Sequence, residues 1–456
     1  MECESVSEYL YENGKTGNRV ISMLKSGKNI IQVFEWETLR INENGFTTSH
    51  FNSLVKWQEK QKDTYFNVGY NKITFTQWVG VLQVGSLVIE VLPKADPNRY
   101  DIHDENRTEA THRWKHVLVE MLRVTGRLKL RTSDNTDLAV RNQSLFDLYF
   151  QSYLDEVETL IHRGLVKKYR RDQRNRTALK GKLLFKRQIA VNVIHKELFF
   201  TEAAVYDKQN KWNEILLAAL NVTGRVAKGG LIRARARNLA LNFPDWPEKK
   251  FTPKSFEQLF YDRKTEGYTR AISLARLILL QLNPQIASGE EKVVAILFDM
   301  NKLWEDWLLA TYRSTYRDDV KVNILGKKRI DFWNSKQGNN KILETDILIE
   351  DNRGSEMRMI VLDAKWKRPG NLPSDDEIKQ MFAYNLMWKS YEAWLLYPDT
   401  KDALDLDGEF MHEEAGTLGM RFINIFDEKK SLCRKLTLPK NKDKRQKKIK
   451  VDFQSK

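Results

Sequence analysis

The chain has 456 residues and a net charge of +15, with 41% hydrophobic and 11% aromatic residues. That length and apolar content exclude a disordered chain and a single core, and two or three domains follow. Two cysteines, Cys3 and Cys433, exclude a disulfide scaffold and any cysteine-rich zinc or iron–sulfur centre, while the basic excess favours a polyanion partner.

The opening MECESVSEYL carries acids and no apolar stretch, so no signal peptide is expected. The longest apolar run, AISLARLILLQL (271–282), is broken by Arg276 and too short for a bilayer. A soluble, cytoplasmic protein with no membrane segment is expected. Residues 1–110 favour strands: IIQVFEW (30–36), NKITFTQWVGVLQVG (71–85) and SLVIEVLPK (86–94) are β-branched and aromatic, with Gly and Asn punctuation. A loop, ADPNRYD (95–101), closes this region, which reads as a small, barrel-like β-domain.

Residues 111–290 change period. THRWKHVLVEMLRVTGRL (111–128), NQSLFDLYFQSYLDEVETLIHRGLV (142–166) and WNEILLAALNVTGRVA (212–227) repeat apolar residues every three or four positions, the spacing of amphipathic helices. Between them, LVKKYRRDQRNRTALKGKLLFKR (165–187) holds ten Lys and Arg against Asp172 alone. Such a run is either a solvated face or a contact for nucleic acid or an acidic partner.

Residues 291–456 change again. A helix is expected over FDMNKLWEDWLLATY (298–312), with Asp299 or Asn301 as N-cap. Strands follow at 320–325, 341–350 and 357–367, the last two joined as a hairpin by DNRGS (351–355). A helix at 376–390, a strand at 392–398 and a basic tail from 438 complete the chain. The expected fold class is thus α+β multidomain: a β-rich N-terminal domain, a helical middle and a C-terminal mixed sheet flanked by helices.

VLDAKWK (361–367) ends an apolar strand on charge. Asp363 and Lys365 share a strand face, and the hairpin brings Asp346 to the same sheet edge. Magnesium-dependent phosphodiester hydrolysis needs carboxylates for the ion, a group to position water and a cation for developing charge. Asp346 and Asp363 supply the first and Lys365 the rest; a surface salt-bridge ladder is the alternative. The bare D-x-K triplet has no weight, because Asp262–Lys264 and Asp427–Lys429 repeat it. Glu305, beside the apolar stripe Trp304, Trp307 and Leu308, is a further metal ligand or an exposed helix acid. Gln380 and Tyr384 share a helix face and serve as substrate or support groups, or as core.

In that order these residues resemble the PD-(D/E)xK nuclease superfamily. FDMNKLWEDWL, TDILIE and VLDAKWK, with GVLQVGSLVIEVLPK (80–94) and the segment 179–220, resemble more narrowly the McrC family, nuclease subunits of McrBC-type modification-dependent restriction systems. The resemblance implies a Mg2+-dependent endonuclease that docks on a hexameric McrB-like AAA+ GTPase, stimulates it and cuts double-stranded DNA, modified or plain. It puts Asp346, Asp363 and Lys365 on the catalytic positions and extends more loosely to Glu305, Gln380 and Tyr384. Thr345 stands where the family usually has proline. No G-x-x-x-x-G-K-[ST] loop is present, so GTP is expected on the partner and not on this chain. Two other readings stay open: a non-catalytic DNA-binding or assembly adaptor, and a stand-alone repair nuclease.

Overall fold

In a computed structural model of the chain, the structure describes residues 29–85, 87–94, 107–128, 143–227, 229–247, 249–281, 293–336, 340–369, 372–399, 405–427 and 431–439. The N-terminal segment, Cys3, the loop at 95–101 and the tail from 440 lie outside these residues.

The N-terminal strands are β1 (Asn29–Phe34), β2 (Thr38–Arg40), β3 (Phe66–Gly69), β4 (Lys72–Phe75), β5 (Trp78–Val84) and β6 (Leu87–Leu92), with helix α1 (Thr48–Gln58) after β2. They form two separately hydrogen-bonded sheets in place of the expected barrel-like domain. One has the order β2-β4-β3; in the other, β1-β6-β5 is extended by Val293–Asp299 from far along the chain. All six residues of β6 are buried, because both faces of this sheet are covered. Leu82, Ile89 and Val91 pack with Phe46, Leu54 and Phe75, whereas Val79, Val88 and Leu92 join the core under the helices. Gly80 lies at φ +137, and a Cβ there would stand 2.1 Å from the Ile296 carbonyl oxygen, so only glycine lets the late strand pair here.

The middle region contains α2 (Arg107–Val124), α3 (Leu145–Arg163), β7 (Lys168–Arg176), β8 (Lys182–Leu183), α4 (Phe185–Asn192), β9 (Phe199–Asp207), α5 (Lys211–Val226), α6 (Gly230–Ala240), α7 (Pro253–Glu257) and α8 (Thr269–Gln281). It is not helical throughout, since β7-β9-β8 form an antiparallel sheet. The basic run owes this to alternation. Arg170, Asp172, Arg174 and Arg176 fall on one strand face, and Asp172 holds all three arginines at 2.9, 3.0 and 2.6 Å. Asp207 of the neighbouring strand also holds Arg170, at 2.9 Å.

The final region comprises β10 (Val293–Asp299), α9 (Met300–Thr315), β11 (Val322–Asn334), β12 (Asn340–Asp351), β13 (Arg358–Ala364), α10 (Asp375–Trp388), β14 (Glu392–Pro398), β15 (Leu406–Glu409) and β16 (Thr417–Ile423). The six-stranded sheet runs β11-β12-β13-β14-β16-β15. β12 and β13 form the expected hairpin, from Asp351↔Arg358 to Ile347↔Leu362. β13 and β14 are parallel, so α10 is the crossover between them. Asp299 caps α9, its side chain accepting from Asn301 N–H. One sheet face packs Ile347, Ile349 and Leu362 against Trp304, Trp307 and Leu308 of α9. The other packs Leu348, Val361 and Leu395 against Met381 and Tyr384 of α10. The structure is thus mixed α+β with a six-stranded mixed sheet between two helical layers. Among the described residues no helix is long and apolar enough to cross a membrane.

Candidate active site at the end of the β12–β13 hairpin

Alternation along β13 turns Val361 and Asp363 toward α10, and Lys365 follows them just past the strand. Asp363 is buried, and Lys365 Nζ lies 2.6 Å from its Oδ2. The Lys365 N–H donates to the Leu396 carbonyl at 2.9 Å, which extends the pairing with β14 beyond the strand end. Asp346 sits at an irregularity of β12. Between the pairs Gly326↔Leu348 and Lys328↔Thr345, Asp346 and Ile347 oppose Lys327 alone. Such a bulge re-aims side chains beside active sites. Here Asp346 Oδ2 accepts the Ala364 N–H at 2.8 Å, so the first aspartate is bonded to the strand that carries the second.

Gln380 and Tyr384 complete a hydrogen-bonded chain. Lys365 Nζ donates to Gln380 Oε1 at 3.3 Å, Gln380 Nε2 to Tyr384 OH at 2.7 Å, and Tyr384 OH to the Glu344 carbonyl. The chain ties the ammonium, through α10, to the strand bearing Asp346. The Tyr384 ring is buried core and its hydroxyl belongs to this chain. Glu305 stands apart: its Oε2 pairs with Lys327 Nζ at 2.7 Å. Among the described residues no three His, Cys, Asp or Glu side chains are arranged to hold a metal ion. The structure therefore brings Asp346, Asp363, Lys365, Gln380 and Tyr384 together, while the negative charge of Glu305 disfavours ionisation of the two aspartates.

Burial is the largest influence on both aspartates. It pushes Asp346 up to about 7, helped by the charges of Asp363 and Glu305 and opposed by the Ala364 N–H and Lys365. Asp363 is also raised by burial, against the pull of Lys365. Burial disfavours the Lys365 ammonium, but the carboxylates of Asp363, Asp346 and Glu377, Asp363 foremost, together outweigh it and raise its pKa. Acidic charge from Asp346, Asp363 and Glu305 thus gathers around two lysines, Lys365 and Lys327.

Several neighbours escape sequence reasoning. A cavity of about 390 Å³ is lined in part by Asn301, Lys365, Lys367, Ser374, Glu377 and Gln380. Lys367 pairs with Glu377 at 3.1 Å, and Ser374 caps α10. Lys367 continues the two-residue spacing of Asp363 and Lys365, which was the available signal. Asn301 had none beyond its place in the helix opening.

Trp366 ties the site to the N-terminal sheet. Its Nε1 donates to Glu35 Oε1 at 2.8 Å, and Glu35 also accepts the Lys94 N–H. Burial pushes Glu35 up to about 8, opposed by those two hydrogen bonds and reinforced by Asp299. The folded chain thus keeps a proton that the unfolded chain releases, so this residue's contribution to stability is full below pH 4.5 and declines as pH rises to about 8. Glu35→Gln keeps an acceptor for both N–H groups and cannot ionise. It is expected to flatten that part of the stability–pH profile, and to be at least as stable as the wild type at pH 8. Urea denaturation of both proteins from acid to mildly alkaline pH checks this; parallel profiles count against it.

Comparison with known proteins follows the same lines. A family model described as "McrBC 5-methylcytosine restriction system component" matches residues 73–398. A chain from the refined half-complex of the tetradecameric assembly of Thermococcus gammatolerans McrB AAA+ hexamers with bound McrC is similar in fold. Its TM-score is 0.62 at 21% identity, over 89% of this chain and 96% of that one. A chain from the cryo-EM structure of the Thermococcus gammatolerans McrBC complex gives 0.46 at 22% identity, over 62% of this chain and 86% of that one. No curated protein sequence matches. The family match takes in β5 and β6 of the N-terminal sheet, the helical middle and the Asp346–Asp363–Lys365 site alike, and by it the chain belongs to the family of McrBC 5-methylcytosine restriction system components.

Proposed function

We propose that this chain is the Mg2+-dependent DNA endonuclease subunit of a McrBC-like restriction complex, of the PD-(D/E)xK type and working in the cytoplasm. The convergence of Asp346, Asp363 and Lys365 at one hairpin end, over a helix that braces the lysine, carries the reading.

The residues fit a magnesium ion. Mg2+ is typically held by one or two carboxylates, with water and substrate phosphate completing its shell, so two aspartates suffice and Glu305 need not touch it. Asp363 is buried and Asp346 half-buried, and each carries a raised pKa that a divalent cation between them would lower. When bound, Mg2+ supplies a more acidic water and polarises the phosphoryl oxygens. Lys365, kept charged by Asp363, stabilises the negative charge that develops on the phosphorane and orients the attacking water. Gln380 and Tyr384 hold the ammonium in place.

The partner follows from the assembly named with the structural neighbour, in which McrB AAA+ hexamers bind McrC. We take the corresponding partner here to be a McrB-like AAA+ GTPase hexamer whose hydrolysis this chain stimulates, and the substrate to be double-stranded DNA, modified or plain. A non-catalytic adaptor is the second reading, favoured by the engagement of Glu305 with Lys327.

Co-purification with a McrB-like AAA+ protein from the same source, followed by incubation with methylated and plain duplex, separates the readings. The nuclease reading expects cutting that requires both GTP and Mg2+. GTP hydrolysis and DNA binding without cutting would favour the adaptor, and cutting by the chain alone with Mg2+ a stand-alone nuclease.

A further inference from the structure

β12 carries Asp346 and then leaves the sheet. It pairs with β13 only over Ile347–Asp351, while Asn340–Thr345 pair only with β11. The result is a two-stranded ribbon that projects from the active site. Lys341 lies five residues from Asp346, so the ribbon reaches about 17 Å from the aspartate. Most of it is open to solvent on both faces.

Residues 327–345 hold five basic side chains against two acidic ones. Lys327 and Arg329 are paired with Glu305 and Glu344. Lys328 and Lys341 are exposed and make no ion pair among the described residues. Between them stand Phe332 and Trp333, 52% and 54% exposed. Phe332 is the extra residue of a β-bulge between the pairs Asp331↔Ile342 and Trp333↔Lys341. Bulges and lysines also protect sheet edges from pairing with other chains. That accounts for the charges and the bulge, but not for two aromatic rings left in water beside them.

We propose that this ribbon is a duplex-DNA clamp, with Lys328 and Lys341 on phosphates and Phe332 and Trp333 in the groove, about five base pairs from the scissile phosphate at a rise of about 3.4 Å each. A two-stranded ribbon fits the B-form major groove, about 12 Å wide, whereas the deep, narrow major groove of A-form RNA does not admit it. The proposal rests on the nuclease reading for the position of the scissile phosphate, and it adds the path of the DNA away from it.

The test is binding of a fluorescent duplex by the full chain in EDTA, from about 50 to 200 mM salt. Lys328→Ala/Lys341→Ala is expected to make the slope of log affinity against log salt shallower by about 1.8, two phosphates at about 0.9 each. Phe332→Ala/Trp333→Ala is expected to weaken binding about tenfold at an unchanged slope. Lys60→Ala/Lys62→Ala, at exposed positions in the N-terminal region, should leave both unchanged. Unaltered melting temperatures exclude misfolding. Wild-type affinity and slope in both ribbon variants overturn the clamp, as does retained DNA binding with lost binding of the AAA+ partner. No duplex binding by the wild type at the lowest salt also overturns it. Asp363→Asn separates the two readings: if it cuts DNA normally while the ribbon variants lose binding, the catalytic assignment fails and the clamp stands. If it abolishes cutting while they bind normally, the reverse holds.

Discussion

Asp363→Asn is expected to abolish GTP- and Mg2+-dependent DNA cleavage by the reconstituted complex, by about a thousandfold or more in single-turnover rate. The replacement has nearly the same shape and stays inside the sheet, so the strand should survive. What disappears is one of two carboxylates available for the cation, and with it the ion pair 2.6 Å from Lys365. Without that partner, the ammonium loses the largest of the carboxylate contributions that oppose its burial, leaving only Asp346 and Glu377. Cation site and lysine are therefore weakened together. Under the proposed function, stimulation of the partner's GTPase should be unaffected. Cleavage within tenfold of the wild type would remove Asp363 from the mechanism.

Trp304→Ala is expected to give the largest stability loss of any single substitution in the site's support, about 3–5 kcal/mol. The side chain is fully buried; its ring stacks on Trp307 at 5.0 Å and leans on Trp366 at 5.2 Å. Its Nε1 donates to the Leu396 carbonyl at 3.3 Å, the same oxygen that receives the Lys365 N–H. Truncation leaves a cavity under the strand end and removes one of two donors from that oxygen. Trp304→Phe, which refills most of the space, should recover more than half of the loss. Equilibrium denaturation of the three proteins measures this, and a loss below about 1 kcal/mol for the alanine variant would show that the aromatic layer is not what holds the strand end.

Much of the last region is legible in its residues because its determinants are local. Asp299 caps the helix next to it, DNRGS turns the chain between two apolar strands, and period-two alternation places Asp363 and Lys365 on one side. These local features suffice to bring Asp346 and Asp363 to one hairpin end. What escapes sequence reasoning depends on distant partners or on broken alternation. Nothing near Val293–Asp299 shows that it pairs with β5, more than two hundred residues earlier. Trp366 meets Glu35 across 331 positions. The bulge at Asp346 is invisible in the letters, and so is the attachment of Glu305 to Lys327, which depends on how far β11 runs past the sheet. β15 gives no strand signal because LDGE is short, exposed and without apolar alternation. The basic run is legible only in part: its charge shows a solvated segment, and none of Lys168–Arg176 is buried, but the pairing with β9 that makes it a strand lies more than twenty residues along the chain.

The central claim is that Asp346 and Asp363 together hold a divalent cation beside Lys365. Titration of Mn2+, read by electron paramagnetic resonance, into the full-length chain bound to a duplex tests it most directly. The wild type should take up at least one Mn2+ that the Asp346→Asn/Asp363→Asn variant does not, and Mg2+ should displace it. Equal stoichiometry and affinity in two folded, DNA-bound proteins would contradict the claim.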